Sequence, residues 1–255
     1  MSKRINLKEG WNKVAEKYQT LIKISTNEVH YGPNAEGEKK LKLLGNVRRK
    51  KVLEIGCGGG QNSIVLAKAG AKTVGIDFSK AQLDYAERLA KQERVNVKFV
   101  ELDMREVDNL KEKFDIVLSS FAFQYVTDLK PLFRKISQII RQKGLFVFTI
   151  GHPMAYAEKL KKSNKGIAAV IYNYFKKEHR VWYWNFDRKT KFTDFHHRIT
   201  DVSTALHDSG FIIEKIIEQT AYPPNKNSPY YDPSYDKRWN QIPFSIIFKC
   251  VKTKG

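Results

Sequence analysis

The chain has 255 residues, of which 42% are hydrophobic and 12% aromatic, and this composition supports a folded α/β domain and excludes a disordered chain. Lysine and arginine number 46 against 27 aspartates and glutamates, so the formal net charge is +19. Such a surface attracts nucleic acids, membranes or anionic small molecules. The basic residues are scattered, however, which favours a solvated lysine-rich surface over an RNA-binding one.

Signals for export, membrane insertion and disulfide bonding are weak. The segment MSKRINLKEGW lacks the apolar core of a signal peptide, and the longest apolar runs, such as 145–150, are too short to span a bilayer. The two cysteines, Cys57 and Cys250, belong to no CxxC pair, so the sequence predicts neither a disulfide nor a zinc site. We expect a reduced, cytoplasmic protein without a membrane span.

The first 150 residues alternate between strand and helix patterns. Apolar strands bounded by polar residues or glycine are predicted at 51–55, 73–76, 95–102, 114–119 and 145–150. Helical spacing of apolar residues predicts helices at 61–69 and 79–91, with Ser79 as a helix cap, and a third helix whose apolar face runs from Leu129 to Ile140 and which stops at Gly144. Alternation of this kind predicts a doubly wound, mostly parallel sheet.

The alternation breaks after the fifth strand. Residues 151–201 are irregular and contain a predicted hairpin, 179–186 paired with 191–199, joined around 187–190. A helix at 202–209 and strands at 211–218 and 243–251 then complete the pattern. Because a long loop without a helix joins these last strands, we predict an α/β fold with a seven-stranded Rossmann-like sheet, an antiparallel last strand and a cap insertion after strand five.

Polar residues cluster where the predicted parallel strands end, which is where ligands bind in such sheets. After the first strand the sequence reads Glu54-x-Gly56-x-Gly58-x-Gly60. This spacing fails the dinucleotide pattern G-x-G-x-x-G, because Gln61 stands at its third glycine. It resembles instead the first motif of the class I S-adenosylmethionine-dependent methyltransferases, and within them the methyltransferase type 11, or UbiE-like, small-molecule group.

The resemblance covers residues 10–150 and extends to the N-terminus, where WNKVAEKY is similar to the W-x-x-x-A-x-x-Y start of these enzymes. It implies one methyltransferase domain over 1–255. Its parts would be an N-terminal helical lid at 1–45, a cofactor-binding core at 46–150, a substrate cap at 151–201, and the final helix and strands at 202–255. It also implies S-adenosylmethionine as the cofactor and S-adenosylhomocysteine as the product.

The resemblance assigns roles to residues at the strand ends. Gly56 and Gly58 let the main chain approach the cofactor's amino acid and ribose, and Glu54 lies near its ammonium and sulfonium groups. Asp77 would bind the ribose hydroxyls, Phe78 would pack on the adenine, and Asp103, followed by Met104, would bind the adenine amine. The carbonyl of Ser119 would accept from the methionine amine, and Tyr18 would contact the methionine carboxylate or the substrate.

The segment after the fourth strand, Ser119-Ser120-Phe121-Ala122-Phe123, argues against several acceptor classes. It lacks the N/D-P-P-Y/F motif of base amino-methylases, the cysteine nucleophile of cytosine methylases, the two glutamates of arginine methylases and the acidic cluster of metal-dependent catechol-type enzymes. We therefore expect a small-molecule acceptor methylated at oxygen, nitrogen or carbon, and no metal.

The insertion is expected to form the acceptor pocket. His152, directly after the fifth strand, is a candidate general base near neutral pH. Strand alternation places Trp182, Trp184 and Phe186 on one face of the hairpin. Most of these aromatic side chains are expected to pack the hairpin onto the domain. Together with His197 and Arg198 they would also suit an aromatic or anionic acceptor. Tyr18, His152, His197 and Arg198 are the predicted substrate contacts.

Three alternatives remain open from the sequence. The charge of +19 permits an RNA methyltransferase, whose RNA affinity would fall steeply with salt. A nicotinamide-dependent oxidoreductase uses a similar sheet, but Gln61 speaks against it. A relative that binds the cofactor without turnover would carry the same motif.

Overall fold

The computed structural model describes residues 5–33, 35–156, 158–163, 166–171, 174–175, 179–220 and 243–253, with the backbone alone for 156, 158–163 and 166–171. The helices are α1 (Leu7–Ile22), α2 (Glu38–Leu41), α3 (Gln61–Lys68), α4 (Lys80–Gln92), α5 (Leu129–Ile139), α6 (Pro153–Tyr156) and α7 (Ile199–Asp208). The strands are β1 (Lys51–Ile55), β2 (Lys72–Asp77), β3 (Lys98–Glu101), β4 (Phe114–Ser120), β5 (Ile140–Gly151), β6 (Glu158–Ser163), β7 (Gly166–Ile171), β8 (His179–Trp184), β9 (Asp187–Phe195), β10 (Phe211–Thr220) and β11 (Pro243–Lys252).

Seven strands form one sheet in the order β10-β11-β5-β4-β1-β2-β3. The pairs from β5 to β3 are parallel, and β11 runs antiparallel to both of its neighbours. The predicted α/β fold, with a mostly parallel seven-stranded sheet and an antiparallel last strand, is confirmed. The two hairpins β6–β7 and β8–β9 form separate two-stranded sheets between β5 and α7.

Apolar side chains cover both faces of this sheet. On one face the amphipathic α5 packs a cluster of rings and aliphatic chains, among them Phe133, Phe146 and Phe148. On the other face the chain from Val29 to Val47 supplies buried side chains that pack against β1 and β4. That segment brings the connection between α1 and β1 close to the carboxyl ends of the parallel strands.

Two predicted boundaries are wrong. The third predicted helix was expected to run to the stop at Gly144, but α5 ends at Ile139 and the next residue, Ile140, already pairs with Phe114 in the sheet. Gly144 instead lies in the stretch of β5 where its register with β4 shifts, and a Cβ atom there would lie 2.7 Å from the carbonyl oxygen of Arg141. In the β8–β9 hairpin the turn is at 185–186 rather than 187–190, since Asp187 already pairs with Trp184.

No helix among the residues described above is long and apolar enough to cross a bilayer.

Candidate active site

A large cleft opens at the carboxyl ends of β1, β2 and β4, under α1 and the β8–β9 hairpin. Eight of the nine predicted cofactor residues line it: Tyr18, Glu54, Gly56, Gly58, Asp77, Phe78, Asp103 and Met104. The ninth, Ser119, lies behind the wall, fully buried, with its hydroxyl donating to the carbonyl of Ile55 over 2.9 Å. The structure therefore brings together residues that lie far apart in the sequence.

The glycine loop after β1 is shaped by backbone conformations that disfavour other residues. Gly56 has φ +68°, and a Cβ atom there would lie 2.4 Å from the Cβ of Ala122 in the loop after β4. Gly58 has φ +51°, and a Cβ atom there would make only ordinary contacts, 3.8 Å from Oε1 of Gln82 and 3.9 Å from Nε2 of Gln19. Gly56 is thus needed for packing between two loops, whereas at Gly58 the constraint is the left-handed backbone conformation.

Asp77, at the end of β2, is held by two backbone amides. Its Oδ2 accepts from the N–H of Gly58 and its Oδ1 from the N–H of Ser79, both over 2.9 Å. Burial raises the pKa of Asp77 to about 6 even though these amides favour the ionised form. Each carboxylate oxygen retains a further lone pair, so the group can also accept hydrogen bonds from a ligand's hydroxyls.

Glu54, near the end of β1, is a second buried carboxylate in the same cleft. Its Oε2 accepts from the amide N–H of Ser63 over 2.9 Å and from the Ser63 hydroxyl over 2.5 Å. Burial raises the pKa of Glu54 to about 7. Within the described residues neither Glu54 nor Asp77 has an ion-pair partner. A buried carboxylate without a cation is costly, so this pair favours a positively charged ligand.

Asp103, at the end of β3, has a partner already. Its carboxylate accepts from Nε of Arg105 over 2.9 Å and from a terminal guanidinium nitrogen over 2.6 Å. Partial burial would raise the pKa of Asp103, but the hydrogen bonds and charge of Arg105 hold it below its ordinary value. The side chain is therefore ionised and oriented at the cleft wall, next to Met104.

The helix α1 is fastened over the glycine loop by side chains that the sequence did not indicate. Gln19 accepts from Nε2 of Gln61 over 2.6 Å and donates to Oε1 of Gln82 over 2.8 Å, which links α1 to both α3 and α4. Asn12 accepts from the Ser79 hydroxyl at the start of α4 over 2.8 Å. One feature of the sequence could have indicated this attachment: Gln19 is a polar residue on the buried face of an amphipathic helix.

The aromatic face predicted for the hairpin packs against α1. Trp11 lies 6.1 Å from Trp184 and 5.1 Å from Phe192 between ring centroids, and Tyr18 lies 5.0 Å from Trp184. Trp182 stacks on Phe192 at 4.8 Å. These rings join the hairpin to α1, as the packing interpretation expected, and all of them except the fully buried Phe192 also line the cleft.

Three predicted substrate residues do not line the cleft. Both ring nitrogens of His152 are engaged, because Nδ1 accepts from the amide of Met154 over 3.1 Å and Nε2 pairs with Glu218 over 2.9 Å. His197 is buried near the backbone of Phe123 and Val126, and burial lowers its pKa to about 4.

Arg198 forms a two-point ion pair with Asp201 in the first turn of α7. Of the four predicted substrate contacts, only Tyr18 faces the cleft. His152 therefore offers no free nitrogen for a general base in this arrangement.

One histidine at the cleft was not predicted. His30, in the segment between α1 and β1, lines the wall beside Ser120 and Phe121. Asn62 holds its backbone from both sides, accepting from the N–H of His30 over 2.8 Å and donating to its carbonyl over 3.0 Å. No local motif marks this position, because the contacts that fix it come from residues 32 and 90 positions away.

Comparison with known proteins gives consistent results. Residues 52–144 match the family model described as a methyltransferase domain. An uncharacterized protein of Haemophilus influenzae is 29% identical over 214 residues, which cover 79% of this chain and 82% of that protein. A protein of Coxiella burnetii named ubiquinone biosynthesis O-methyltransferase is 28% identical over 58% of this chain, and the match spans only 60% of that enzyme's length.

Among solved structures, a Listeria monocytogenes protein described as a putative S-adenosylmethionine-dependent methyltransferase has a TM-score of 0.69 at 23% identity. The superposition covers 85% of this chain and 96% of the Listeria chain. The fold is therefore shared over most of both chains, and the match to the family model falls on the strands and loops that carry the glycine motif and the carboxylates.

Proposed function

This chain is a class I S-adenosylmethionine-dependent methyltransferase, and from that premise we propose that it methylates a small molecule of aromatic and anionic character. The family membership gives the cofactor and the reaction class. We infer the acceptor from the cleft residues that are not assigned to the cofactor.

The described residues fit the cofactor. Glu54 and Asp77 are buried carboxylates with raised pKa values and without an ion-pair partner in the described part of the chain, and Gly58, whose amide donates to Asp77, lines the same cleft. A cationic ligand with a ribose would supply the missing charge and the missing hydrogen-bond donors. We propose that Glu54 faces its ammonium and sulfonium groups and that Asp77 accepts from its ribose hydroxyls.

S-adenosylmethionine supplies an electrophilic methyl group when bound, so the chemical drive belongs to the cofactor. What remains for the protein is alignment and exclusion of water. The helix α1, fastened by Gln19 to α3 and α4, covers the glycine loop and provides that exclusion. Phe78, Asp103 and Met104 would hold the adenine side, as their positions on the wall allow.

The observation that carries the proposed acceptor class is that aromatic rings and lysines line the same cleft as the carboxylates. Trp11 and Trp184, whose rings contact each other, line it, and so do Lys13, Lys189 and Lys191. None of these lysines forms an ion pair with another described residue. Aromatic rings favour a planar acceptor, and ammonium groups favour a carboxylate or phenolate on it.

The similarity to ubiquinone biosynthesis O-methyltransferases supports oxygen as the methylated atom. A second candidate, an RNA methyltransferase, is favoured by the net charge of +19. In both cases Tyr18, whose ring contacts Trp11 and Trp184, would contact the acceptor or the methionine carboxylate.

The test is transfer of labelled methyl from S-adenosylmethionine into an extract of the source cells, separated into small-molecule, RNA and protein fractions. The proposal expects label in the small-molecule fraction, in a product that binds to an anion exchanger and absorbs in the near ultraviolet. Asp77→Asn provides the matched control, because it removes a cofactor contact without touching the proposed acceptor wall. Label confined to RNA would overturn the small-molecule proposal and favour the second candidate.

A further inference from the structure

His30 has an imidazole whose hydrogen bonding is incomplete. Its Nδ1 is buried and has no hydrogen-bond partner among the residues that the structure describes. Leaving a buried polar atom unpaired is costly, so such atoms in a binding cleft indicate a missing ligand group. Burial also lowers the pKa of His30 to about 4, so the ring is neutral at physiological pH and one of its nitrogens is a hydrogen-bond acceptor.

The backbone of His30 is held rigidly. In addition to the two hydrogen bonds with Asn62, its carbonyl accepts from the hydroxyl of Ser120 over 2.9 Å, and Nδ2 of Asn62 lies 3.2 Å from that same hydroxyl. Asn62 is only 1% exposed. Two elements, α3 and β4, thus fix one residue of the segment after α1, and its ring lies at the cleft, which is the arrangement of a preorganised binding group.

His30 lies on the side of the cleft away from the predicted ribose and adenine contacts. In the sheet, β4 and β2 flank β1 on opposite sides, so the ends of β4 and β2 are about 10 Å apart. Asp77 belongs to the β2 side and His30 to the β4 side, through Ser120. The ribose and adenine extend from β1 toward β2 and β3 in our proposal, and the resemblance places only the methionine amine at β4, on the carbonyl of Ser119. The part of the cleft beyond the end of β4, at Ser120 and Phe121, is therefore left for the acceptor.

The surroundings of His30 are aromatic. Phe121, directly after β4, has an unfavourable φ of +58° and stacks on Phe244 with ring centroids 6.0 Å apart and planes 14° apart. Gly32 lies against the Phe121 ring, so closely that a Cβ atom would come within 2.4 Å of it. Strained backbone of this kind persists where the surrounding structure enforces it, often at binding sites. Five residues of this region line the cleft together: His30, Gly32, Pro33, Phe121 and Phe244.

We propose that His30 binds the methyl acceptor, with its neutral ring forming a hydrogen bond to a hydroxyl or amine of an aromatic molecule seated against Phe121 and Phe244. This inference rests on the proposed function for its acceptor. It assigns the recognition role to a residue that neither the glycine motif nor the family match indicates. His30 would orient the nucleophilic atom, while the carboxylates of Glu54 and Asp77 orient the cofactor.

The test compares His30→Ala, His30→Asn and the control His207→Ala, whose ring is exposed on α7 outside the cleft. Labelled methyl transfer is measured into the fraction that the wild type labels, at saturating S-adenosylmethionine and over a dilution series of that fraction. We expect His30→Ala to need at least about tenfold more of the fraction for half-maximal transfer, with S-adenosylhomocysteine affinity by calorimetry within about twofold of wild type. His30→Asn should restore part of the loss, because its amide can replace one ring nitrogen.

Transfer by His30→Ala that matches wild type at every dilution would overturn the inference, and so would a parallel loss of S-adenosylhomocysteine affinity. Which fraction is labelled tests the proposed function separately, since RNA labelling would contradict that function and leave the His30 comparison intact. The ¹⁵N shift of His30 provides a readout that needs no acceptor. S-adenosylhomocysteine alone should leave Nδ1 without a hydrogen bond, and a shift on its addition would assign the ring to the cofactor and overturn the inference.

Discussion

The backbone N–H of Gly58 donates a hydrogen bond to Oδ2 of Asp77 over 2.9 Å. This bond joins the loop after β1 to the end of β2, so two groups that the sequence assigns separately to the cofactor form one unit before any ligand binds. The carboxylate has two tasks in this arrangement. It fixes the glycine loop, and it lines the cleft with lone pairs left for a ligand's donors.

Asp77→Asn should therefore weaken cofactor binding. An asparagine can accept from only one of the two amides, those of Gly58 and Ser79, and its amino group meets the other amide unfavourably. We expect S-adenosylhomocysteine to bind about 10- to 100-fold more weakly by calorimetry. Asp84→Asn, on the exposed side of α4, is the matched control and should leave the affinity unchanged. Equal affinity in wild type and Asp77→Asn would remove Asp77 from the ribose site.

The affinity for S-adenosylmethionine should rise with pH. Burial raises the pKa of Glu54 to about 7 and that of Asp77 to about 6, so below these values the unliganded protein carries protons there. A cationic ligand favours the ionised carboxylates, so its binding releases protons and becomes tighter as pH rises from about 5 to about 7, by up to about tenfold per unit.

Above pH 7 the profile should be flat. Calorimetry compares S-adenosylmethionine with S-adenosylhomocysteine, which lacks the sulfonium charge. We expect the affinity for S-adenosylmethionine to depend more steeply on pH, because its sulfonium adds to the attraction of the ionised carboxylates. Glu54→Gln should remove the step near pH 7. An unchanged step in that variant would show that Glu54 does not face the cationic end of the ligand.

The same carboxylate should destabilise the unliganded protein at alkaline pH. The pKa of Glu54 is raised from 4.5 to about 7 by burial, so between these pH values the folded state binds more protons than the unfolded state. Stability therefore falls as pH rises from about 4.5 to about 7, by an amount of order 3 kcal/mol at most. A glutamine at 54 keeps an oxygen for the Ser63 amide and carries no charge.

We expect Glu54→Gln to unfold at a higher urea concentration than wild type at pH 8, and at an equal or lower one at pH 5. The measurement is the midpoint of urea unfolding followed by circular dichroism at both pH values. A variant less stable than wild type at pH 8 would mean that the ionised carboxylate stabilises the fold through contacts with Ser63 that outweigh its burial.

Gly56→Ala should lower the free energy of unfolding by more than the backbone conformation at this position alone would predict. The residue has φ +68°, and an added Cβ atom would lie 2.4 Å from that of Ala122. Gly45 has nearly the same φ, +63°, with nothing within 4 Å, so Gly45→Ala isolates the backbone penalty of about 1–2 kcal/mol. We expect the Gly56 variant to lose clearly more stability in thermal unfolding and to lose cofactor affinity, whereas the Gly45 variant keeps its affinity. Equal losses would show that the two loops can move apart.

The parallel core and the carboxylates at its edge were predictable because their signals are local. A short apolar run followed directly by Glu54 and the glycines, or by Asp77, carries both the strand and the ligand group in one stretch of chain. The register of those strands then brings the groups together without further information. Ser79 as a helix cap is local in the same sense, and it is observed with its hydroxyl accepting from the amide of Gln82.

Groups positioned by distant partners were not predictable. His152 follows β5 at the correct edge of the sheet, but Glu218 on β10 engages its Nε2 in a contact that spans 66 residues, and His152 does not line the cleft. His30 shows the converse, since no residue near it in the chain indicates its position. The helix end before β5 and the hairpin turn were misplaced for a related reason, because strand pairing at Ile140 and Asp187 overrides the local signals of Gly144 and of the polar run 187–190.

Helix α1 provides the last prediction, because the side chain of Gln19 links it to both α3 and α4. Gln19 is the middle member of a chain of three glutamines, and Gly59 lies so close beneath it that a Cβ atom there would come within 2.5 Å of the Gln19 amide. Gln19→Leu keeps the bulk of the side chain but leaves Gln61 and Gln82 without their partners, both of them buried. Two unpaired buried amides are costly enough to favour release of α1.

We expect Gln19→Leu to increase hydrogen–deuterium exchange along α1 and to weaken S-adenosylhomocysteine binding about tenfold, while exchange in β1, β4 and β5 stays as in wild type. Thr20→Ala is the control, since the hydrogen bond of that hydroxyl among the described residues goes to the carbonyl of Glu16 on the same exposed face of the helix. Faster exchange in the sheet as well would show that Gln19 supports the whole fold. Unchanged exchange in α1 would show that the ring contacts of Trp11 with Trp184 and Phe192 are sufficient to hold the lid.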